Sequence, residues 1–300
     1  MTESYRLALW ATNLGPVFRT LDAWLDHVGA RARTAATGGA RLVVMPEYAS
    51  EAWLGFKPAG LRPDQEITWL ASVAADALPG LRRLANETGI SLLPGTMPWA
   101  VDGGFRNRAW LLAADGRLAA QDKLCLTPFE RDPETWLLRP GTELRLVELD
   151  GLRLAVLVCL DVELPALSCR LASAGLDLVL VPSMSDSAAG HARVFGCAKA
   201  RAVELMCAVA CTGVIGASPA TTQNDQNVSG IAVYLPCEPA LGHTGVLVET
   251  PATEGLAGEE PFAMVDLPIG VLRRLRSAGG EVWPGNWSAD RLKVSEGWQA

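Results

Sequence analysis

The sequence predicts an α/β fold. Three observations carry that expectation: six short apolar runs of strand character, intervening segments long enough for helices, and Asp/Gly turn signals between them. The runs are RLALWAT from Arg6, ARLVVMP from Ala40, ISLLPGT from Ile90, RAWLLAA from Arg108, RLAVLVCL from Arg153 and LDLVLVPS from Leu176. Runs apolar on both faces are those of strands covered on both sides, as in a layered α/β protein.

Each element follows from local pattern. After the first run, Val17, Leu21, Trp24, Leu25 and Val28 recur at helical spacing, which predicts an amphipathic helix packed on a sheet. Leu70, Val73, Ala74, Leu78, Leu81 and Leu84 predict a second helix over 66–87, and a third is expected over 191–206. Turn signals stand at Asp102-Gly103-Gly104, Asp115-Gly116 and Asp150-Gly151. The last joins LRLVELD to GLRLAVLV, so residues 144–159 read as a hairpin. From 236 to 261 the chain is rich in Pro, Gly, Thr and Glu, which predicts surface loops around a strand at GVLVET. One domain is expected over 1–275. The remaining 276–300 form a tail with three tryptophans and no apolar periodicity, expected to lie on a neighbouring surface such as that of a second subunit.

Composition narrows the classes. No stretch reaches the eighteen or more apolar residues of a membrane-spanning helix, so no membrane partner is expected. The start, MTESYRLALW, lacks the basic and long apolar regions of a secretory leader. Seven scattered cysteines, several in apolar segments, read as reduced thiols, which fits a cytoplasmic location. A formal charge of −7 with dispersed basic residues leaves no footprint for nucleic acid.

The chemistry gathers around LAVLVCLDVELP, residues 154–165, where an apolar strand delivers Cys159 to its end. A lone cysteine is usually a small core residue. A working thiol needs a base to deprotonate it and a cation to stabilise the oxyanion it creates. Two segments offer them. In LVVMPEYAS a strand stops at Pro46, which cannot donate to a ladder, and Glu47 follows at the strand mouth. Partial desolvation there raises a carboxylate's pKa and makes it a usable base. In QDKLCLTPFERD, residues 121–132, Lys123 precedes Leu124, Leu126 and Phe129. Solvated surface positions are the plain alternative for Glu47 and Lys123 alike.

Taken together, Pro46-Glu47, the run from Lys123 through Pro128 to Glu130, and Cys159-Leu160-Asp161 with Pro165 beyond resemble the carbon-nitrogen hydrolases of the nitrilase superfamily. LASAGLDLVLVPS and the helix-and-strand segment HARVFGCAKARAVELMCAVACTGVIG extend the resemblance over about residues 5–270. It implies a four-layer αββα sandwich, a homodimer, and a Glu47–Lys123–Cys159 triad that hydrolyses a small amide through a thioester. Glu130 is implied as a second carboxylate that orients the lysine or the substrate, and the Leu160 backbone N–H as an oxyanion donor. No cofactor or metal is implied. Nitrile hydrolysis, acyl transfer to an amine, or a silent scaffold would keep the same residues. Ala166, Arg170, Leu160, Asp122 and Cys211-Thr212 depart from the family pattern at positions expected to shape the pocket, which leaves the substrate open.

Several other candidates read as structural. Cys207 and Cys211 lie in a strand-like segment without a nearby histidine, so they are expected in the core and not on a metal. Arg201 and Glu204 stay open as pocket or interface residues, with a helix-surface ion pair as the plainer reading. His27, His191 and His243 are isolated, although a Cys–His pairing with His191 stays open.

Overall fold

The computed structural model describes residues 3–218, 226–278, 280 and 292–293, so most of the expected tail lies outside the described residues. One sheet holds β1 (Tyr5–Trp10), β2 (Leu42–Val44), β3 (Ser91–Leu93), β4 (Thr96–Val101), β5 (Gly104–Leu112), β6 (Leu118–Asp122) and β13 (Phe262–Leu267). Its order is β13-β1-β2-β3-β5-β4, with β6 also paired to β5. The other holds β7 (Val147–Leu149), β8 (Leu152–Val156), β9 (Leu178–Ser183), β10 (Ala208–Gly213), β11 (Ile231–Tyr234) and β12 (Val246–Glu249), in the order β12-β11-β10-β9-β8-β7. At the centre of each sheet the strands run parallel: β1, β2 and β3 in the first, β8, β9 and β10 in the second.

The two sheets face each other between helical layers, forming the αββα sandwich. Period-2 alternation builds it. Leu7, Leu9, Leu42, Val44, Leu93, Ala109 and Leu111 join the core shared with the second sheet. Their neighbours Ala8, Trp10, Val43, Leu92, Trp110 and Leu112 turn outward into a separate cluster beneath α1 (Leu21–Thr37) and α2 (Pro63–Thr88). On the far side α5 (Ala188–Leu205) covers the second sheet with Val194, Phe195, Ala198, Ala202 and Leu205. Cys207 and Cys211 are buried in this core. Three short helices complete the set: α3 (Pro128–Arg131), α4 (Pro165–Leu171) and α6 (Ile269–Ala278).

Capping explains where the helices depart from the sequence expectation. The first begins at Leu21, because the Thr20 side chain accepts from the Ala23 N–H, and Val17 stays outside it and exposed. The second starts three residues earlier than its periodicity indicates, since Pro63 occupies the first helical position. The third is likewise extended back to Ala188 by the Ser187 cap. The Asp150-Gly151 turn does form a two-residue hairpin, with both residues at positive φ and Leu149 opposite Leu152. Among the described residues no helix is long and apolar enough to cross a membrane.

Candidate active site

Both sheets deliver a residue to the same end of the sandwich, and in both the backbone turns left-handed there. β2 stops at Val44; Met45 still donates to the Leu93 carbonyl, and then Pro46 breaks the ladder ahead of Glu47. Tyr48 follows with φ 51°, held by its N–H on Thr96 Oγ1 at 3.0 Å. Gly95 makes this turn possible, because a Cβ there would collide with the Pro46 carbonyl oxygen. In the second sheet the expected strand end is corrected. β8 ends at Val156, with one further ladder bond from Leu157 N–H to the Leu180 carbonyl at 3.0 Å. Cys159 lies beyond the strand, with φ 49°, at the start of a 3₁₀ turn over Cys159–Glu163. Beyond Leu157 the backbone leaves the sheet: the Val158 N–H is taken by the Asp161 side chain at 3.1 Å and Cys159 turns left-handed. A left-handed non-glycine residue costs about 1–3 kcal/mol, and such strain gathers at functional sites.

Lys123 arrives just after β6. Its N–H donates to the Asn107 carbonyl at 2.9 Å, which directs the side chain inward. The ammonium is 2% exposed and bridges two buried carboxylates, Glu47 Oε1 at 2.8 Å and Glu130 Oε2 at 2.7 Å. Glu130 is placed by the Thr127 cap of α3, with the Thr127 N–H donating to Oε2 at 2.9 Å. The solvated alternatives for Glu47, Lys123 and Glu130 are excluded by burial. Cys159 is buried too, with its thiol 3.5 Å from the Met184 carbonyl. Together with Leu160, these residues line one cavity of about 360 Å³, whose remaining wall includes Tyr48, Phe129, Trp136, Arg193 and Val194.

The cluster carries one cation for two acids, and the two acids respond differently. Burial raises the Glu47 pKa; Lys123 pulls it down and Glu130 pushes it up again, and the net direction is upward. Burial also works to raise Glu130, but the Lys123 charge and hydrogen bonds from Lys123, Tyr48 and Thr127 outweigh it and hold Glu130 below the usual carboxylate range. Burial would neutralise Lys123; the two carboxylates keep it charged. Burial and the Glu47 charge push the Cys159 thiol well up, with Lys123 opposing, so the resting sulfur is protonated near neutral pH. Glu130 therefore stays ionised against Lys123, while Glu47 is the carboxylate able to accept a proton.

Three residues of the site, Asn107, Tyr48 and Asp161, have no assigned role in the sequence, and a fourth, Arg201, is placed differently from its surface-pair reading. Asn107 Nδ2 donates to Glu47 at 2.8 Å and to Glu130 at 3.1 Å, joining the two acids from β5. The Tyr48 hydroxyl donates to Glu130 at 2.6 Å. Asp161 accepts from backbone N–H groups on both sides of the site. Arg201 does pair with Glu204 at 2.7 Å, but it is no surface residue: it is buried, and its Nε donates to the Val162 carbonyl at 3.0 Å, gripping the turn that carries Cys159. His191 does not line the cavity; its Nδ1 lies 3.1 Å from Ser229 Oγ and its ring rests on Phe195. Among the described residues no group of three or more His, Cys, Asp or Glu side chains is arranged to hold a metal ion.

Fold and site define a hydrolase class of the nitrilase superfamily. Residues 7–234 match the family model for carbon-nitrogen hydrolases, and the chain belongs to that family. Hydrolase Rv0480c of Mycobacterium tuberculosis is 31% identical over 248 residues, covering 80% of this chain and 82% of the relative. The probable hydrolase YhcX of Bacillus subtilis is 26% identical over 217 residues, 72% of this chain; the matched part is only 41% of that longer relative. The omega-amidase NIT2-B of Xenopus laevis is 26% identical over 256 residues, 81% of this chain and 82% of its own. Among solved structures, an amidase from Nesterenkonia sp. superimposes with a TM-score of 0.67 at 26% identity, covering 91% of this chain and 94% of that one. A mutant of that amidase carries the acetamide moiety of fluoroacetamide added covalently at its active-site cysteine.

Proposed function

We propose that the cavity is the active site of a small-molecule amidase working through a Cys159 thioester. The observation that carries this reading is the Lys123 ammonium held at 2.8 and 2.7 Å between Glu47 and Glu130, in the wall of the cavity that also exposes the Cys159 sulfur. Glu47, the acid with the raised pKa, takes the thiol proton as the sulfur attacks the amide carbonyl carbon. Charge moves onto the carbonyl oxygen. Lys123 and the Leu160 backbone N–H stabilise it, a contribution of about 3 kcal/mol per donor. The C–N bond then breaks, with Glu47 returning its proton to the leaving nitrogen, and ammonia or an amine departs. Water attacks the thioester with Glu47 again as base, releasing the carboxylic acid and restoring the thiol. Glu130 helps keep Lys123 charged throughout, and the Asn107 amide bridges the two carboxylates and fixes their positions.

A cavity of about 360 Å³ fits a small substrate. The relatives support the reading in kind, since an amidase and an omega-amidase are among them. The test is a panel of small amides, with nitriles and amine acceptors beside them, read by ammonia release and by intact mass for an acyl adduct. The expected result is turnover of an amide with an adduct at residue 159. Cys159→Ala should lose both, with kcat down at least about 10⁴-fold and the fold retained. Full turnover in Cys159→Ala would end the thioester mechanism. Faster release from nitriles, or product only with an amine acceptor, would move the assignment within the family.

A further inference from the structure

Asp161 lies two residues beyond Cys159, is fully buried, and does not line the cavity. Its carboxylate faces backbone amides from two separate segments. Oδ1 accepts from Cys125 N–H at 2.7 Å and from Leu124 N–H at 3.1 Å, both just after Lys123. Oδ2 accepts from Val158 N–H at 3.1 Å, the residue before Cys159, and also lies 3.2 Å from Leu124 N. One side chain thus ties the segment that brings the ammonium to the turn that brings the thiol. Among the described residues no other hydrogen bond joins these two backbones. Lys123 is fixed on its other side by its N–H on the Asn107 carbonyl and by Gly141 N–H on its own carbonyl, which orient it to the first sheet but not to the sulfur.

We propose that Asp161 is a positioning residue that sets the spacing between Lys123 and Cys159 by clasping the backbone on both sides of the site. It rests in part on the amidase reading, since the spacing matters to catalysis only if Lys123 and Cys159 share the reaction. A carboxylate suits this task because it only accepts, and three convergent N–H donors need an acceptor with more than one oxygen. The isosteric amide would turn an NH₂ toward N–H donors on one side, and the clasp would hold one segment and release the other. The facing groups that set its charge are few. Lys123 and Cys125 approach from the segment after β6, and Arg201 from α5 grips the neighbouring Val162 carbonyl. Burial pushes the Asp161 carboxyl up to about 6, against the pull of the three amides and Lys123. The carboxylate that accepts all three N–H groups is the form present above that pH; because the folded value is raised, protonation as pH falls favours the closed state and does not open it.

Asp161→Asn tests this, compared with Asp177→Asn, in which a buried carboxylate on the Arg153 N–H, at the start of β9 and outside the cavity, is changed in the same way. A displacement of about 1 Å between reacting groups costs about 10²-fold. We expect Asp161→Asn to lower kcat by about that factor with KM within threefold, and to slow iodoacetamide labelling of Cys159 at least tenfold, while Asp177→Asn leaves both near wild type. Unchanged kcat and labelling in Asp161→Asn, or a loss carried by KM alone, would overturn the proposal. So would equal losses in the two variants. If Asp161→Asn does not fold, the wild type supplies the answer: in hydrogen–deuterium exchange at about pH 7.5 the amides of Leu124, Cys125 and Val158, each bonded to the Asp161 carboxylate, should be protected by at least about 10²-fold over intrinsic rates. Exchange of these amides at the rates of open loop residues refutes the clasp. Labelling and exchange are read without substrate, so a protein that hydrolyses no amide would remove the amidase reading and still leave Asp161 to be judged.

Discussion

Two buried charge clusters hold this molecule together, and they are built in opposite proportions. Around Lys123 one cation serves two acids. Around Asp177 one acid serves two cations, Arg273 at 2.6 Å and Arg276 at 2.9 Å from α6, with the Arg153 N–H as a third partner at 3.0 Å. Burial works to raise the Asp177 pKa, but these hydrogen bonds and charges win and hold it below the usual carboxylate range. That cluster is satisfied and faces no cavity of the site; it staples the last described helix to the second sheet. The Lys123 cluster leaves one carboxylate, Glu47, with a raised pKa beside a thiol. Buried charge by itself marks neither function nor structure. A deficit of counter-charge, placed where a nucleophile and an open volume meet it, separates the two.

The largest effect should come from reversing that balance. Lys123→Met leaves Glu47 and Glu130 buried with no cation, a situation that costs about 3–5 kcal/mol when one partner of a buried pair is removed. Without Lys123, burial and mutual repulsion would raise both carboxyl pKa values in the folded state above their unfolded values. A raised folded pKa gives stability that is present below the unfolded carboxylate range and lost as pH rises, so the variant should be most stable at low pH and weakest above neutrality. Thermal unfolding at pH 5 and pH 8 reads this directly. Turnover should fall by at least about 10²–10³-fold for loss of the oxyanion donor. A variant equally stable at both pH values would mean that the acids are not coupled through Lys123.

Glu130→Gln should act more gently and with a distinguishing sign. The Glu130 charge contributes to raising Glu47, so its removal should lower the Glu47 pKa and move the acid limb of kcat/KM to lower pH. The Tyr48 and Asn107 hydrogen bonds can still reach the amide oxygen, so a fall in kcat of about 10–100-fold is expected, consistent with loss of one charge-assisted contact. A limb that moves to higher pH, measured over pH 5 to 9, would show that Glu130 acts on Glu47 in some other way.

One side of this contrast is legible in the sequence, and the Asp177 cluster is not, because its members lie about a hundred residues apart and carry no local pattern. Apolar runs, Asp-Gly turns and the order Glu47, Lys123, Cys159 locate the strands and the chain segments of the cavity, because both rest on local patterns. What escaped depends on long-range packing. Asn107 left little trace: it stands between Arg106 and Arg108, ahead of the apolar run RAWLLAA, where a polar residue reads as a strand edge and its burial in β5 does not show. Arg201 left a clearer one, since helical spacing puts it on the face of Ala198 and Leu205, which is buried. The strand ends short of Cys159 although the apolar run continues to Val158, since the backbone leaves the sheet after Leu157, where Asp161 holds the Val158 N–H. Hydrophobicity cannot report that departure. The tail over 276–300 offered no periodic signal at all, and beyond α6 only Gly280, Leu292 and Lys293 are described.

The smallest effect belongs to the satisfied cluster. Asp177→Asn keeps an acceptor for Arg153 but removes the charge shared by Arg273 and Arg276, and hydrogen bonds to a charged group contribute about 1.5–3 kcal/mol. Arg276 also donates to the Leu176 carbonyl, and Arg273 to the Gly151 carbonyl at 2.6 Å, so part of the staple survives. A loss of about 1–2 kcal/mol at pH 7 is expected, near 2–3 °C in thermal midpoint for a chain of this size. Because the native pKa of Asp177 is depressed, the contribution is present above the unfolded carboxylate pKa and lost as pH falls through the folded value. The gap between wild type and Asp177→Asn should therefore close below about pH 4, with amide turnover near wild type throughout. A gap that stays constant into acid would mean that packing, and not the ionised carboxylate, makes the difference, and the contrast between the two clusters would have to be redrawn on shape.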